Sequence, residues 1–350
     1  MQPAAAVAPR TGSHALGPHR DPRLTRPCLR RGGPVTGVLG GAVWGLAAGL
    51  LIALAALFGV WWERKVAGRI QMRYGPQETG PFGLLQTLAD TVKLVLKEDV
   101  TPAQADVWLF RFAPLLTFIP IAASLLVIPY ARGFAPLDSG IGVLFFLAVP
   151  SLSVIGVLVG GWSSRNTFAT IGGVRGAAQM ISYEVPRTLA VLAPVLLAGS
   201  LRPLEVMERW AWWWPFLLVP AFLVYYISSI AELNRGPFDL AEAESELVAG
   251  YFTDYTGIRW AVFMMGEYGG IVAASLFGAA VYLGGWRLLP GAAGVLAYVL
   301  LTLLIATSMI WVKWTFPRMR PDQLMATAWK VLTPIALVQL VLVGAVLPWL

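Results

Sequence analysis

The sequence predicts an all-α polytopic membrane protein, with eight transmembrane helices and an amphipathic surface helix after the first span. Three observations lead there. Of 350 residues, 57% are hydrophobic and 13% charged, and the mean hydropathy is +0.68, more apolar than a water-exposed domain sustains. Apolar runs of about 20 residues, the length a helix needs to cross hydrocarbon, recur from Val38 to the C-terminus. The loops between them are too irregular for the short alternating strands of a barrel, which leaves a helix bundle.

Taken in order, the spans are 38–62, 108–130, 140–162, 177–199, 212–230, 261–283, 291–312 and 326–347. Residues 37–350 read as a single membrane domain. Residues 1–36 read as a basic tail, rich in Pro, Gly and Arg, that is either disordered or an overextended start with Val35 or Val38 as alternatives. A secretory signal fits less well, because the apolar run that follows exceeds a typical signal core. The absence of an internal repeat or of matching broken helices weighs against an inverted-repeat transporter.

The rare residues restrict the chemistry. Cys28, His14 and His19 are the only Cys and His, and all lie in the tail. The membrane part therefore offers no thiolate or imidazole, which argues against haem, an iron–sulfur cluster, copper or an ordinary zinc site. Any redox centre is expected in another chain, and no disulfide framework marks the compartment.

Eight spans put both termini on one face and the loops after the odd spans on the other. Those odd loops carry 14 Lys and Arg, counting Lys330, against 4 in the even loops. They are expected on the cytoplasmic side of the cell's inner (plasma) membrane. The six Arg of the tail run against that assignment.

The first odd loop reads Glu63-Arg64-Lys65, Arg69, Gln71 and Arg73, closed by Gly75-Pro76 and Gly80-Pro81. It is either an anchor for lipid phosphates or a charged wall for a ligand headgroup or a partner protein. Over 82–98, Leu85, Leu88, Ala89, Val92 and Leu96 share one helical face, with Gln86, Asp90, Lys93 and Lys97 opposite. At ~1.5 Å per residue this helix reaches roughly 25 Å and lies along the membrane surface. Asp90 and Lys93 read as a surface pair.

Charges inside spans carry more weight. Glu184 and Glu267 fall seven and six residues into the fourth and sixth runs, where an ionised group costs about 2.5–3.5 kcal/mol against lipid. Each is expected to face a polar interior. Arg187 follows Glu184 by one turn, so the two read either as a structural ion pair or as part of a charge path.

The loop after the fifth span holds six acids, Glu232, Asp239, Glu242, Glu244, Glu246 and Asp254, with Arg235 and Arg259. A solvated acidic loop is the ordinary reading. On a helix, however, Asp239, Glu242 and Glu246 would crowd one face, raise one another's pKa and suit proton relay. Cation binding is a third reading with nothing else behind it. Lys313, Arg318, Arg320 and Asp322 complete a polar rim before the last span.

At these loops the sequence resembles the NuoH family, the quinone-site membrane component of type I NADH:quinone oxidoreductase (complex I). The likeness runs from about Trp62 to Trp329. It rests on Glu63-Arg64-Lys65, Gln71 to Pro76, Leu85-Gln86 to Asp90, Lys93 and Lys97-Glu98. It continues through Gly161-Trp162-Ser163-Ser164, Ile181-Ser182-Tyr183-Glu184, Arg235 to Phe238, Glu242 to Tyr251, Pro317-Arg318 and Asp322-Gln323-Leu324. Arg187 stands where an uncharged residue is expected, Ala241 where Pro is frequent, Asp254 for Glu and Lys313 for Arg.

The resemblance implies a subunit that forms much of the quinone path and couples quinone reduction to proton translocation. It implies a proton path through Glu184, Glu232, Glu242, Glu244, Glu246 and Glu267. Around the quinone chamber or docking face it implies Glu63, Arg64, Lys65, Arg69, Arg73, Asp90, Lys93, Lys97, Glu98, Asp239, Arg318, Arg320 and Asp322. Quinone, ubiquinone or menaquinone, would be a substrate, with no covalent or metal cofactor in this chain. The implied partners are a soluble iron–sulfur subunit that delivers electrons, small membrane subunits and lipid, without nucleic acid. The membrane anchor of a related hydrogenase or donor:quinone dehydrogenase, and a stand-alone ion transporter, are the competing readings.

Overall fold

Helices account for nearly all of the regular structure. The computed structural model describes residues 38–242 and 244–349. The tail over 1–36, with both readings of it, lies outside the described residues. Among those described, the only β pairing is a lone bridge between Ala131 and Phe134, and eight helical segments are long and apolar enough to cross a membrane.

The order is α1 (Val38–Ile70), α2 (Leu85–Leu96), α3 (Val107–Ser124), α4 (Gly142–Ser151), α5 (Ser153–Ser163), α6 (Thr167–Ala198), α7 (Pro203–Arg209), α8 (Trp214–Glu232), α9 (Glu244–Leu247), α10 (Gly257–Val281), α11 (Ala292–Thr315), α12 (Pro321–Ala326) and α13 (Thr333–Val346). The third span is α4 and α5 together, broken where Pro150 removes a backbone donor. The eighth is α12 and α13, joined by a π-helical stretch, Thr327–Leu332. Pro334 has no N–H for the carbonyl one turn back, and the wider winding accommodates it while the Thr333 hydroxyl donates to Ala328 at 2.8 Å.

All eight spans occur where the sequence puts them, but three helices begin or end elsewhere. α1 runs eight residues past Trp62, so Glu63, Arg64, Lys65 and Arg69 are helical rather than in a loop. Backbone hydrogen bonding needs no apolar side chains, so a helix continues beyond its hydrophobic part. α6 starts at Thr167 with the Asn166 side chain accepting from the Phe168 N–H at 3.1 Å, which places Glu184 near mid-helix. α10 starts at Gly257, which places Glu267 ten residues in.

α6 and α10 are central. α6 packs on α5, α8 and α13, and α10 packs on α1, α3, α8 and α11. One core runs through Ile52, Phe146, Tyr183, Tyr225, Phe277 and Tyr298. A second, around Phe110, Tyr255 and Phe263, binds the loop before α10 to α3 and α5. Glycine allows the closest approach: a Cβ on Gly161 of α5 would stand 2.4 Å from the Ala169 carbonyl oxygen of α6.

Amphipathic α2 packs its polar side toward α1 and α10. Leu85, Leu88, Val92 and Leu96 on the other side are exposed, as an interfacial helix requires.

Candidate functional site: a buried charge network between α1, α6, α8, α10 and α11

The network is centred on one arginine. After α8 the chain turns at Asn234, which holds the left-handed conformation (φ 52°) that Asn tolerates. That turn aims Arg235 back into the bundle, where its side chain is 2% exposed. One guanidinium nitrogen donates to Glu63 Oε2 of α1 at 2.7 Å, and Nε pairs with Glu267 of α10. The guanidinium also lies over the Tyr268 ring at 4.4 Å. The Tyr268 hydroxyl donates to Glu63 Oε2 at 2.7 Å, and Lys313 Nζ of α11 lies 2.9 Å from Glu63 Oε1. Two carboxylates and two cations thus neutralise one another in a region where an unpaired charge would be severely penalised.

A second buried pair lies deeper. Arg187 of α6 bonds Glu232 at the end of α8, both sequestered, and Arg187 stacks over Phe146 at 5.6 Å. A cavity of about 70 Å3 is lined by residues of both groups, Glu267 and Asn234 together with Arg187 and Glu232. Arg187 Nε, Ser229 Oγ and Asn234 Oδ1 are buried beside it without partners. The space is wide enough for a few waters, and although most of its lining is apolar, these groups supply the polar partners a water needs.

The loop beyond α8 lies on α6 because α6 presents glycine there. A Cβ on Gly172 would come 3.0 Å from the Ala241 oxygen, and one on Gly176 2.9 Å from the Ala241 side chain. This loop positions Asp239, paired with Arg318 at 3.1 Å, and Glu242. Burial first, and then the negative charges of Glu267 and Asp239, push the Glu242 carboxyl well above the usual carboxylate range. Lys313 and Arg235 pull the other way without cancelling that shift.

Comparison with known proteins places the chain in a family. The family model described as NADH dehydrogenase matches residues 44–344. The chain is 45% identical over 313 residues to the NADH-quinone oxidoreductase H protein (NuoH) of Geobacillus kaustophilus, covering 87% of this chain and 94% of that one. Identity is 45% over 313 residues to the NuoH of Bacillus cytotoxicus, covering 87% and 93%. It is 42% over 304 residues to that of Dehalococcoides mccartyi, covering 84% and 85%. The chain belongs to the NuoH family of NADH-quinone oxidoreductase subunits.

Within this family member the residues singled out from sequence separate into three groups. Glu63, Glu232, Glu242 and Glu267 converge on the network, Glu63 by an ion-pair role rather than as part of a loop surface. Asp90 pairs with Arg64 at 2.6 Å, not with Lys93, because the longer α1 carries Arg64 across α2. Arg69, Arg73, Lys93, Lys97, Glu98, Arg320 and Asp322 are exposed on the rim, and Lys65 lies over Trp61 at 5.9 Å. Glu246 is on the rim as well, bonded to Arg175 at 2.7 Å.

Two further geometric expectations fail. Arg187 pairs with Glu232 instead of Glu184, since their side chains meet across the α6–α8 contact; Glu184 makes no ion pair or hydrogen bond with a described residue. Asp239, Glu242 and Glu246 do not share a helical face, because among the described residues of this loop the only α-helical turn is Glu244–Leu247, with a 3-10 turn at Gly250–Phe252. The side chain of Glu244 lies outside the described set. Sequence reasoning also passed over Tyr268 and the central place of Arg235. The signal for Arg235 was a single cation close to the end of α8 among acids that need one.

Proposed function

We propose that this chain is the membrane subunit of a proton-pumping NADH:quinone oxidoreductase. In this reading it forms a quinone chamber with the peripheral arm and couples quinone reduction to proton translocation. The supporting observation is the cavity lined by residues of both the Arg235 network and the Arg187–Glu232 pair: it continues a charged loop region into the middle of the bundle.

The charged loops face the cytoplasm, where a soluble iron–sulfur subunit docks and supplies electrons. Arg64, Lys65, Arg69, Arg73, Asp90, Lys93, Lys97, Glu98, Asp239, Arg318, Arg320 and Asp322 form that docking rim and the chamber wall. Small membrane subunits cover the open sides of α1 and α11, and lipid the remainder.

Reducing a quinone to a quinol takes up two electrons and two protons, so the surrounding groups must supply protons and absorb the field change. Glu242, with its raised pKa, holds a proton at pH values where an ordinary carboxylate has lost it. Its deprotonation adds a negative charge beside Glu267 and Asp239. Arg235, shared between Glu63 and Glu267, then redistributes toward the new charge. Water in the cavity carries the proton between Glu267 and Glu232, and Glu184 extends the route along α6. Glu246 serves as an entry group at the rim, and Glu244, two residues before it in sequence, is assigned to the same route.

Membranes carrying Glu267→Gln or Glu232→Gln test this, because Gln keeps the shape and cannot titrate. NADH oxidation by a hydrophilic acceptor should be unchanged. Quinone-linked turnover with its proton gradient should fall about tenfold or more, as expected on losing a positioned proton-transfer group. Normal turnover and gradient in both variants would leave the network a structural one.

A further inference from the structure

The proton route proposed above gives Arg187 no task, although this residue lies inside α6 with its side chain 7% exposed. A guanidinium keeps its proton in proteins, so it does not relay one and acts only through its charge and its donors. Arg187 bonds Glu232 of α8, and the Phe146 ring packs against the guanidinium. Its Nε is buried without an acceptor, and the residue lines the cavity together with Ser229, Glu232 and Glu267. One donor of the buried cation is therefore uncommitted.

A second acid is within its reach. Glu184 precedes Arg187 by three residues on α6, a spacing that puts both on one helical face with Cβ atoms about 5–6 Å apart. Helical side chains lean toward the N-terminus, so Arg187 extends back over the turn that carries Glu184. Glu184 forms no ion pair or hydrogen bond with a described residue. Pro186, between the two, has no N–H for the carbonyl one turn back, so this turn lacks one of its hydrogen bonds. Among the described residues the titratable groups facing Arg187 are Glu232 and Tyr225 on α8, Glu184 on α6 and Tyr282 after α10. Two of these are carboxylates, and Arg187 holds one of them.

We propose that Arg187 is a positioning residue with two alternating partners, Glu232 and Glu184, and that it links the charge of one acid to that of the other. A proton reaching Glu232 through cavity water forms an O–H bond on the carboxylate and removes the charge that holds the guanidinium there. Arg187 then turns to the Glu184 carboxylate. When the proton leaves Glu232 for water, the first pair forms again. No bond other than O–H is made or broken, and one cation serves two acids in turn.

The alternation rests on the route through Glu232 and Glu184, and the test separates the two. Electron cryo-microscopy of the assembled complex should show Arg187 on Glu232 in the parent protein and within hydrogen-bond distance of Glu184 in the Glu232→Gln variant. Arg187 still held against residue 232 in the variant, or turned away from both positions, would overturn the alternation. Normal quinone-linked turnover in Glu232→Gln would count against the route, whichever position Arg187 takes. Turnover, normalised to the rate with a hydrophilic acceptor, gives a second readout that stands if Glu232→Gln does not assemble. Arg187→Met and Glu184→Gln should each lower it about tenfold, and Arg187→Lys, which keeps the charge, should lose less than Arg187→Met. The Arg187→Met/Glu184→Gln variant should be about as slow as the slower single variant, because residues that act as a unit are not additive. A roughly hundredfold loss in the double variant, the product of two independent effects, or unchanged turnover in Arg187→Met, would overturn the proposal.

Discussion

α10 and α1 are both apolar helices long enough to span a membrane, yet 67% of the most apolar stretch of α10 is buried against 17% of that of α1. α11 and the last span, each at 22%, resemble α1. The buried helix is the less hydropathic of the two types. It carries Gly266, Gly269, Gly270, Ala273 and Ala274 together with Glu267 and Tyr268, whereas α1 and α11 present Leu46, Leu50, Leu300 and Leu304 outward. In a bilayer, apolar side chains gain little by moving from lipid to protein. Small residues that permit close packing, and polar groups that must avoid lipid, therefore mark the interior.

The sharpest way to break this contrast is to remove the cation at its centre. Arg235→Met leaves Glu63 and Glu267 without their shared partner and should cost about 3–5 kcal/mol, the scale for breaking one side of a buried ion pair. Assembled complex, measured on native gels of solubilised membranes, should nearly vanish. Adding Glu267→Gln should restore part of it by removing one of the stranded charges. Arg69→Met, at an exposed position on α1, should leave assembly intact.

Glycine substitutions sharpen the comparison at smaller magnitude. In Gly161→Ala the new Cβ meets the Ala169 oxygen at 2.4 Å and the Cα of Gly173 at 3.1 Å, and α5 and α6 must separate. Overpacking of this kind should cost about 1–3 kcal/mol. Gly45 of α1 and Gly344 of α13 have nothing within 4 Å of a Cβ. Alanine there should be neutral, or stabilising by up to about 1 kcal/mol through helix propensity. Thermal dissociation temperatures of the three purified variants should rank accordingly.

The number of spans, their order and the amphipathic helix were legible in the sequence because each depends on local periodicity and length. Glu267 was legible as a group needing a polar setting for the same reason: a charge in an apolar run needs no knowledge of its neighbours to be recognised. Glu232, which the sequence put in the loop after the fifth span, instead ends α8 and is buried. The pairings were not legible. Arg187 is one turn from Glu184 in sequence but meets Glu232 through the crossing of α6 and α8, and Arg64 reaches Asp90 only because α1 outlasts its apolar run. The Asp239–Glu246 stretch has helical spacing without forming a helix over that length. There, packing of Ala241 on the glycines of α6, a contact distant in sequence, decides the backbone.

Glu242 gives a pH-dependent form of the test. Its folded-state pKa lies above the ordinary 4.5, so its favourable contribution to folding is complete below 4.5 and is lost as pH rises through the raised value. Stability of the purified protein should decline over that interval. Glu242→Gln, fixed in a neutral form, should flatten that part of the profile. An unchanged profile in the variant would mean that the loop does not hold Glu242 against Glu267 and Asp239.

The smallest effect belongs to the rim. Burial tends to raise the Asp90 carboxyl, but hydrogen bonds from Arg64 and Gln86 outweigh it and hold the group below its usual 3.8. The associated stability is therefore present above 3.8 and is lost as pH falls through the lowered value. Arg64→Ala should move the Asp90 titration upward, measurable by carboxyl 13C shifts in the labelled protein. Because the pair is partly exposed, with much of its attraction screened by solvent, the stability change should stay within about 1 kcal/mol and shrink further in high salt. A loss as large as that of Arg235→Met would mean that α2 is locked to α1 as firmly as the interior helices are to one another, and the division between a rigid charged centre and a loosely held rim would fail.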